Sequence, residues 1–231
     1  MNVVFHNLIN DDFFENLKPS KSEELFEYFI KKEYNIHFGE SIRLDPTIKD
    51  KTILLCTINK NLRINEGDAG IDLSNIEDIE LKFSINDYVN KPFLVKTGCK
   101  IYLPKGISAL VLPRSSSGLK YGYIIPNSPG LIDSTYRGDI GIIINILNSN
   151  NFMKICMLET PSGFNQYPET YVIKKGTRLA QLLIIPNIYP TNFDYFGTYY
   201  FIIIRNQYIY DNFENIFPSD RGEKGFGSTG I

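Results

Sequence analysis

The chain has 231 residues, is 43% hydrophobic and 22% charged, and carries a formal net charge of −2. That length fits one domain with extensions or one subunit of an oligomer, and that apolar share excludes global disorder. A near-neutral balance offers no general attraction to nucleic acid, so an anionic ligand has to meet local arginines and backbone donors.

Residues 1–48 differ in texture from the rest and read as an N-terminal extension. After Pro19, Ser20-Lys21-Ser22-Glu23 has the form of a capping box. Leu25, Phe26, Phe29 and Ile30 fall on one helical face, and Glu24, Glu27, Lys31 and Lys32 on the other. The spacing predicts one amphipathic helix, about Glu23–Glu33, whose apolar stripe docks on the main domain. No secretory signal or long apolar stretch is visible, so the expected location is cytoplasmic or nuclear, with no membrane partner. Cys56, Cys99 and Cys156 lack metal-ligand spacing and read as buried thiols of a reducing compartment. His6 and His37 lie far from every motif below.

From Lys51 onward the texture is β. Short apolar runs occur at Ile53–Ile58, Phe93–Lys96, Ser108–Leu112, Ile140–Ile146, Tyr171–Ile173, Leu179–Ile185 and Tyr199–Ile204, with Gly, Pro, Asn and Asp between them. That rhythm predicts an all-β sandwich or barrel over residues 49–220 rather than a βαβ sheet. Two stretches interrupt it, near 148–169 and 187–219, and read as elaborated loops or extra hairpins. Residues 221–231 form a glycine-rich arm.

Five segments carry functional residue types. Ala69-Gly70-Ile71-Asp72-Leu73 sets one acid among small and apolar residues, suited either to a Mg²⁺-bound water or to a structural hydrogen bond. Pro113-Arg114-Ser115-Ser116 follows an apolar strand and offers a guanidinium and hydroxyls to phosphate oxygens. The run from Asn127 to Gly141 holds an amide able to read a base edge, Asp133 beside the apolar pair Leu131-Ile132, and Tyr136; its plainer reading is a turn with an Asp133–Arg137 pair. Lys174 to Pro186 carries Gln181 inside an apolar strand, either a ligand or a satisfied core amide, and Arg178, a candidate salt-bridge partner. Arg221 to Gly230 holds four glycines, Phe226 and the pair Ser228-Thr229; convergent backbone N–H groups and an aromatic face suit a nucleotide.

In this order the segments resemble the five motifs of the trimeric dUTPase family: AGxDL, PRS, GLID-x-x-YRG, G-x-RxAQ and RG-x-x-GFGSTG. The resemblance covers about Lys51 to Ile231 apart from the two insertions. It implies a β-barrel or jelly-roll subunit, and a homotrimer with shared active sites that hydrolyse dUTP to dUMP and diphosphate with Mg²⁺. One chain then supplies Asp72, Arg114–Ser116 and Gln181, a second supplies Asn127–Gly141, and a third supplies the arm. By the same resemblance Asp133 is the general base. Arg114, Ser115, Ser116 and Gln181 bind phosphate oxygens or metal-bound waters, and Asp72 holds Mg²⁺ through water. Asn127 and the backbone of Leu131, Ile132 and Gly141 read uracil, Tyr136 packs on the sugar, and Arg221, Phe226, Gly227, Ser228 and Thr229 close over the nucleotide.

Two positions depart from the pattern: Lys224 and Ser116 stand where members commonly have glycine. Two other readings remain at this stage. A dCTP deaminase shares the barrel and an Arg-Ser-Ser segment, and a dUTP-binding scaffold would regulate a partner through the extension and insertions.

Overall fold

The computed structural model describes residues 2–6, 17–28, 48–62, 64, 67–82, 91–147, 170–187 and 198–225. Thirteen strands lie among them: β1 (Asn2–His6), β2 (Thr52–Thr57), β3 (Ile71–Ser74), β4 (Ile79–Lys82), β5 (Phe93–Lys96), β6 (Cys99–Tyr102), β7 (Ile107–Pro113), β8 (Tyr123–Ile124), β9 (Gly130–Ile132), β10 (Gly141–Ile146), β11 (Thr170–Ile173), β12 (Arg178–Pro186) and β13 (Thr198–Ile204). They form four ladders, in the orders β1-β13-β2-β6, β5-β10-β8, β11-β4 and β3-β12-β7-β9. The mostly β architecture matches the reading from sequence, although the ladders do not close into one continuous barrel among the described residues.

The main core lies between the sheets. Along β10 the residues alternate half-buried and buried, with Ile142, Ile144 and Ile146 inward, which is the period of a strand with one face on the core. In contrast, β2 is buried at every position. Ile53 and Leu55 enter the main core, while Leu54 and Cys56 enter a second cluster on the other side of the sheet. A strand covered on both faces reads as a continuous apolar run, as Ile-Leu-Leu-Cys does. β13 repeats the pattern, with Phe201 and Ile203 on one side and Ile202 and Ile204 on the other.

The second cluster is built by the parts outside the motifs. A helix at residues 22–28, here α1, contributes Leu25 and Phe26; two short helices, α2 (Gln207–Asp211) and α3 (Phe213–Ile216), contribute Ile209, Phe213 and Ile216. The rings of Phe26, Tyr102 and Phe217 meet at centroid distances of 4.9 to 6.0 Å. The apolar stripe of the extension thus docks on the body, as expected; Phe29, Ile30 and the predicted end of the helix lie outside the described residues. The cap differs from the expectation. Ser20 donates from both its N–H and its hydroxyl to the two carboxylate oxygens of Glu24, each at 2.7 Å, so the reciprocal partner is four residues on, not Glu23.

Two further segments gain detail. Within the segment 187–219, read as elaborated loops or extra hairpins, the described residues from 198 onward hold a strand and two short helices: β13 runs parallel to both neighbours, β1 and β2, and the chain then turns into α2 and α3. Asn206 caps α2, its side chain accepting from the N–H of Ile209. The extension also contributes a strand, β1, where the sequence showed only a helix. The 148–169 insertion lies outside the described residues.

Candidate active site

The motif residues fall into two groups. The first lies on the outer face of the β3-β12-β7 ladders. Asp72 on β3 stands opposite Gln181 on β12, and Gln181 stands opposite Leu112 on β7. Arg114 follows the end of β7. Its Nε lies 3.3 Å from Asp72 Oδ1, while Arg178 Nη1 meets Asp72 Oδ2 at 3.0 Å. Arg114 Nη1 also donates to the Arg178 carbonyl at 3.2 Å. Asp72 therefore sits between two guanidiniums and fixes both of them. The Asp72–Arg114 contact lacks hydrogen-bond alignment, which leaves the buried Oδ1 and Nε atoms without a hydrogen-bond partner. Ser115 is exposed and Ser116 half-buried, at the start of a one-turn π-type helix, Ser117–Tyr121. This group gathers an arginine pair, an amide and hydroxyls, a set suited to phosphate oxygens.

The second group lies on a turn. β9 pairs with β7, with Ile132 opposite Ala109, and Asp133 follows directly. The turn closes with the Tyr136 N–H donating to the Asp133 carbonyl at 3.0 Å. Tyr136 is buried, and its hydroxyl donates to the Asp139 carbonyl at 2.8 Å. A Cβ at Gly138 would collide with the Tyr136 hydroxyl, so only glycine fits between ring and backbone. Burial raises the Tyr136 phenol above its ordinary range. Asn127 is exposed on the preceding turn, its amide over Gly130; Leu131 is exposed, and Gly141 opens β10.

Arg137 holds this turn from behind. It is 5% exposed, and its Nε donates to the Phe217 carbonyl at 2.7 Å while Nη1 donates to the carbonyls of Ser134 and Tyr136 at 2.7 and 2.9 Å. The Asp133–Arg137 pair of the plainer reading does not form. The carboxylate of Asp133 is instead paired with Arg221, whose guanidinium also stands 5.7 Å from the Tyr136 ring centre. Past Arg221, Gly222 forms a parallel bridge with Tyr136, and its carbonyl accepts from the Arg137 N–H at 2.9 Å. Gly222 has a φ of 57°, which favours glycine there. Phe226, Gly227, Ser228 and Thr229 lie outside the described residues.

The two groups do not meet within one chain. Asp133 stands one position past Ile132, level with Ser108 on β7, whereas Gln181 is level with Leu112. Four residues along a strand is about 13 Å, and three strand spacings from β3 to β9 is about 14 Å, which puts Asp72 and Asp133 roughly 20 Å apart. Between them runs an outward apolar row, Leu183 opposite Leu110 opposite Leu131, and Leu131 is 58% exposed.

Sequence reading missed three supports of the second group: Asp139, Lys100 and Glu223. The signal for Asp139 was an acid between Gly138 and the apolar run that begins at Ile140; Lys100 and Glu223 carry no local signal. Cys56 and Cys99 are buried free thiols, as expected, and burial pushes Cys99 up to about 12. No cluster of three or more metal-binding side chains occurs among the described residues, and no helix there is long and apolar enough to cross a membrane.

The comparisons with known proteins agree with the motifs. A family model described as dUTPase matches residues 57–154. A deoxyuridine 5'-triphosphate nucleotidohydrolase of Clostridium novyi (strain NT) is 34% identical over 167 residues, covering 72% of this chain and 87% of its own. The protein of the same name from Dictyoglomus turgidum is 31% identical over 184 residues, 78% of this chain and 98% of its own. Among solved structures, a dUTPase of phage phi11 of S. aureus, described as coordinating a structural Mg(II) ion, aligns at 25% identity with a TM-score of 0.45, over 63% of this chain and 97% of its own. A Staphylococcus bacteriophage 80alpha dUTPase with dUpNHpp aligns at 25% identity with a TM-score of 0.42, over 78% of this chain and 98% of its own. The kinship rests on sequence, since both overlays are partial.

Proposed function

We propose, from the premise that the chain belongs to the dUTPase family, that it hydrolyses dUTP to dUMP and diphosphate at sites assembled between copies of itself. The observation that carries the shared site is the gap of roughly 20 Å between the arginine group around Asp72 and the turn that bears Asp133. No bound triphosphate spans both groups of one chain in a reacting geometry, so the turn of one copy serves the strand face of another. The outward apolar row Leu183–Leu110–Leu131, half-buried at its first two positions and exposed at Leu131, supports that contact, because apolar surface bordering a polar site marks a docking surface. Leu94, Ile124 and Leu147, also exposed, add a second such face around the β5-β10-β8 ladders. A homotrimer satisfies both surfaces, with the strand ladders completing a jelly-roll subunit.

In this reading Asp133 orients a water against the α-phosphorus. The water oxygen bonds to phosphorus, its proton passes to the Asp133 carboxylate, and the bond to the α,β-bridging oxygen breaks to release diphosphate. Positioning supplies most of the rate. Arg114, Ser115, Ser116 and Gln181 bind the phosphate oxygens, and Arg114 and Arg221 offset the charge that moves onto diphosphate. Asn127 and the backbone of Leu131, Ile132 and Gly141 read uracil, which leaves cytosine with an unpaired buried group. Tyr136 packs against the deoxyribose; Phe226 stacks on the base, and Gly227, Ser228 and Thr229 add donors.

The donor set also fits magnesium brought in with the triphosphate. Asp72 offers a carboxylate oxygen that lacks a hydrogen-bond partner, beside the Gln181 amide, while the described residues offer no all-protein cage. Oxygen donors plus substrate phosphates are the usual company of this ion. When bound, it would neutralise phosphate charge. The experiment is diphosphate release from dUTP, UTP, dCTP and dTTP, with and without magnesium. Preference for dUTP with magnesium is expected; ammonia release from dCTP would overturn the assignment in favour of a deaminase.

A further inference from the structure

The resemblance begins at about Lys51 and gives no role to the extension, yet α1 packs directly behind the turn that carries Asp133. The link runs through three rings and one guanidinium. Phe26 on α1 is buried and meets the rings of Tyr102 on β6 and Phe217 after α3 edge-on, at 5.8 and 6.0 Å between centroids. Tyr102 and Phe217 stand 4.9 Å apart in a tilted pair. The Arg137 guanidinium lies over the Tyr102 ring at 5.3 Å from its centre and donates through Nε to the Phe217 carbonyl at 2.7 Å. Both residues that Phe26 packs on therefore touch Arg137, one by its ring and one by its backbone.

The helix is fixed in place for this contact. Ser20 and Glu24 bond across its first turn. Ahead of it, the Leu17 carbonyl accepts from Asn206 Nδ2 at 3.0 Å, and the oxygen of the same Asn206 side chain caps α2. The Lys18 ammonium stands 6.0 Å from the centre of the Tyr208 ring, also on α2. Leu25, fully buried, enters the same cluster as Phe26.

A second support reaches the turn without α1. The Tyr136 hydroxyl donates to the Asp139 carbonyl, and Asp139 Oδ2 accepts from the Tyr210 hydroxyl on α2 at 2.5 Å. Lys100 lies 4.9 Å from the centre of the Tyr210 ring and pairs with Glu223 at 2.6 Å. That side is polar, and the Glu223 end of it is exposed. The Arg137 side is aromatic: Phe213 adds to the stack at 4.8 Å from Phe217. A buried guanidinium with three carbonyl acceptors is held firmly only while water is kept out, because water competes for the same donors and raises the local dielectric. Rings exclude that water, and the ring face attracts the cation.

We infer that the N-terminal extension belongs to the machinery of the reaction: Phe26 is a positioning residue that seals the Arg137 guanidinium through Tyr102 and Phe217, and so fixes the turn that bears Asp133 and Tyr136. Phe26 touches no nucleotide. It acts two contacts away, by keeping the three carbonyl bonds of Arg137 dry and the turn in one conformation.

This inference rests on the proposed hydrolysis of dUTP, but one of its readouts is independent of activity. In the full-length chain, Phe26→Ala is expected to lower kcat for dUTP about three- to tenfold with KM within about threefold, because the aim of Asp133 loosens while the strand face is untouched. Hydrogen exchange at the Tyr136 N–H and the Arg137 Nε–H should quicken by at least about tenfold. Phe26→Met, which keeps an apolar cover and a sulfur able to pack on rings, should return both quantities to within about twofold of wild type. Ile173→Ala, in the main core, is the stability control. Its urea midpoint should fall comparably, with kcat and exchange at the turn unchanged. Unchanged exchange at both groups in Phe26→Ala would overturn the inference. So would equal acceleration in Ile173→Ala, the mark of a general loss of stability, and so would faster exchange with unchanged kcat. Phe26→Leu, a milder cut, decides by the same readings should Phe26→Ala fail to fold. A wild type that leaves dUTP intact would count against the hydrolysis, and the exchange rates would still decide whether Phe26 holds the turn.

Discussion

The two halves of the site are built in different ways. The half proposed to bind phosphate, here the phosphate half, is a product of strand register: Asp72, Gln181 and Leu112 stand level on three adjacent strands, and Arg114 follows the end of one of them. In the turn half only its ends, Ile132 and Gly141, lie in ladders, and Asp133 and Tyr136 fall between them. Its shape is held by one buried guanidinium that collects the carbonyls of Ser134, Tyr136 and Phe217, and by the layer of β13, α2 and α3 behind it. A half built on register tolerates the loss of one side chain, because the strands keep the others in place. A half whose carbonyls converge on one buried guanidinium is most sensitive at that side chain and at the group it aims.

The comparison can be pressed by substitution, and the largest effect is expected at the reacting group. Asp133→Asn should keep the fold and lower turnover by at least about 10²-fold, the low end for a positioned acid–base group. Near-normal turnover in the purified variant would remove Asp133 from the chemistry. Next comes the anchor. Arg137→Met leaves three carbonyls without their donor in a buried setting, so stability should fall by about 3 kcal/mol and turnover by about tenfold. Urea unfolding and a rate assay on the folded fraction would separate the two losses. A variant as stable and active as wild type would show that the turn is held by something else.

In the phosphate half the expected effect is smaller. Arg178 is exposed along nearly half of its side chain and is one of two partners of Asp72. Arg178→Ala should raise KM for dUTP about two- to fivefold and leave kcat nearly unchanged, the scale of a solvent-screened pair. An effect as large as that of Asp133→Asn would mean that the two halves do not differ as described.

These halves were not equally legible in the sequence. The strand group could be read because each residue sits in a short local pattern, Ala-Gly-Ile-Asp-Leu or Arg-Leu-Ala-Gln, on an apolar run of strand length. Asp133 and Tyr136 could be read the same way. What supports them could not: the Phe217 carbonyl lies 80 residues from Arg137, and Glu223 lies 123 residues from Lys100. Within the segment 187–219 the apolar run Tyr199–Ile204 was legible as β, but its partners were not, since a strand inserted in parallel between β1 and β2 has no hairpin turn to announce it.

The smallest effect concerns the acid behind the turn. Burial raises the Asp139 carboxyl above its usual range, against the opposing hydrogen bonds from Tyr210, Thr97 and Gly98. The folded chain therefore binds that proton more tightly than the unfolded chain does. Ionised Asp139 costs the folded state, by an amount absent below about pH 3.9 and complete above the raised folded value. Between pH 4 and pH 7 the urea midpoint of Asp139→Asn should accordingly move upward relative to wild type. A shift in the opposite sense would show that the hydrogen bonds outweigh burial.

The central claim is that one chain carries two half-sites that react only across a subunit contact. Co-expression of Asp133→Asn with Arg114→Ala tests it most directly, because each homo-oligomer lacks one half at every site. With equal expression and random assembly, about a quarter of the sites combine an intact strand face with an intact turn, and diphosphate release should recover to about that fraction of wild type. Release no greater than the mean of the two separate variants would contradict the claim and place the whole reaction within a single chain.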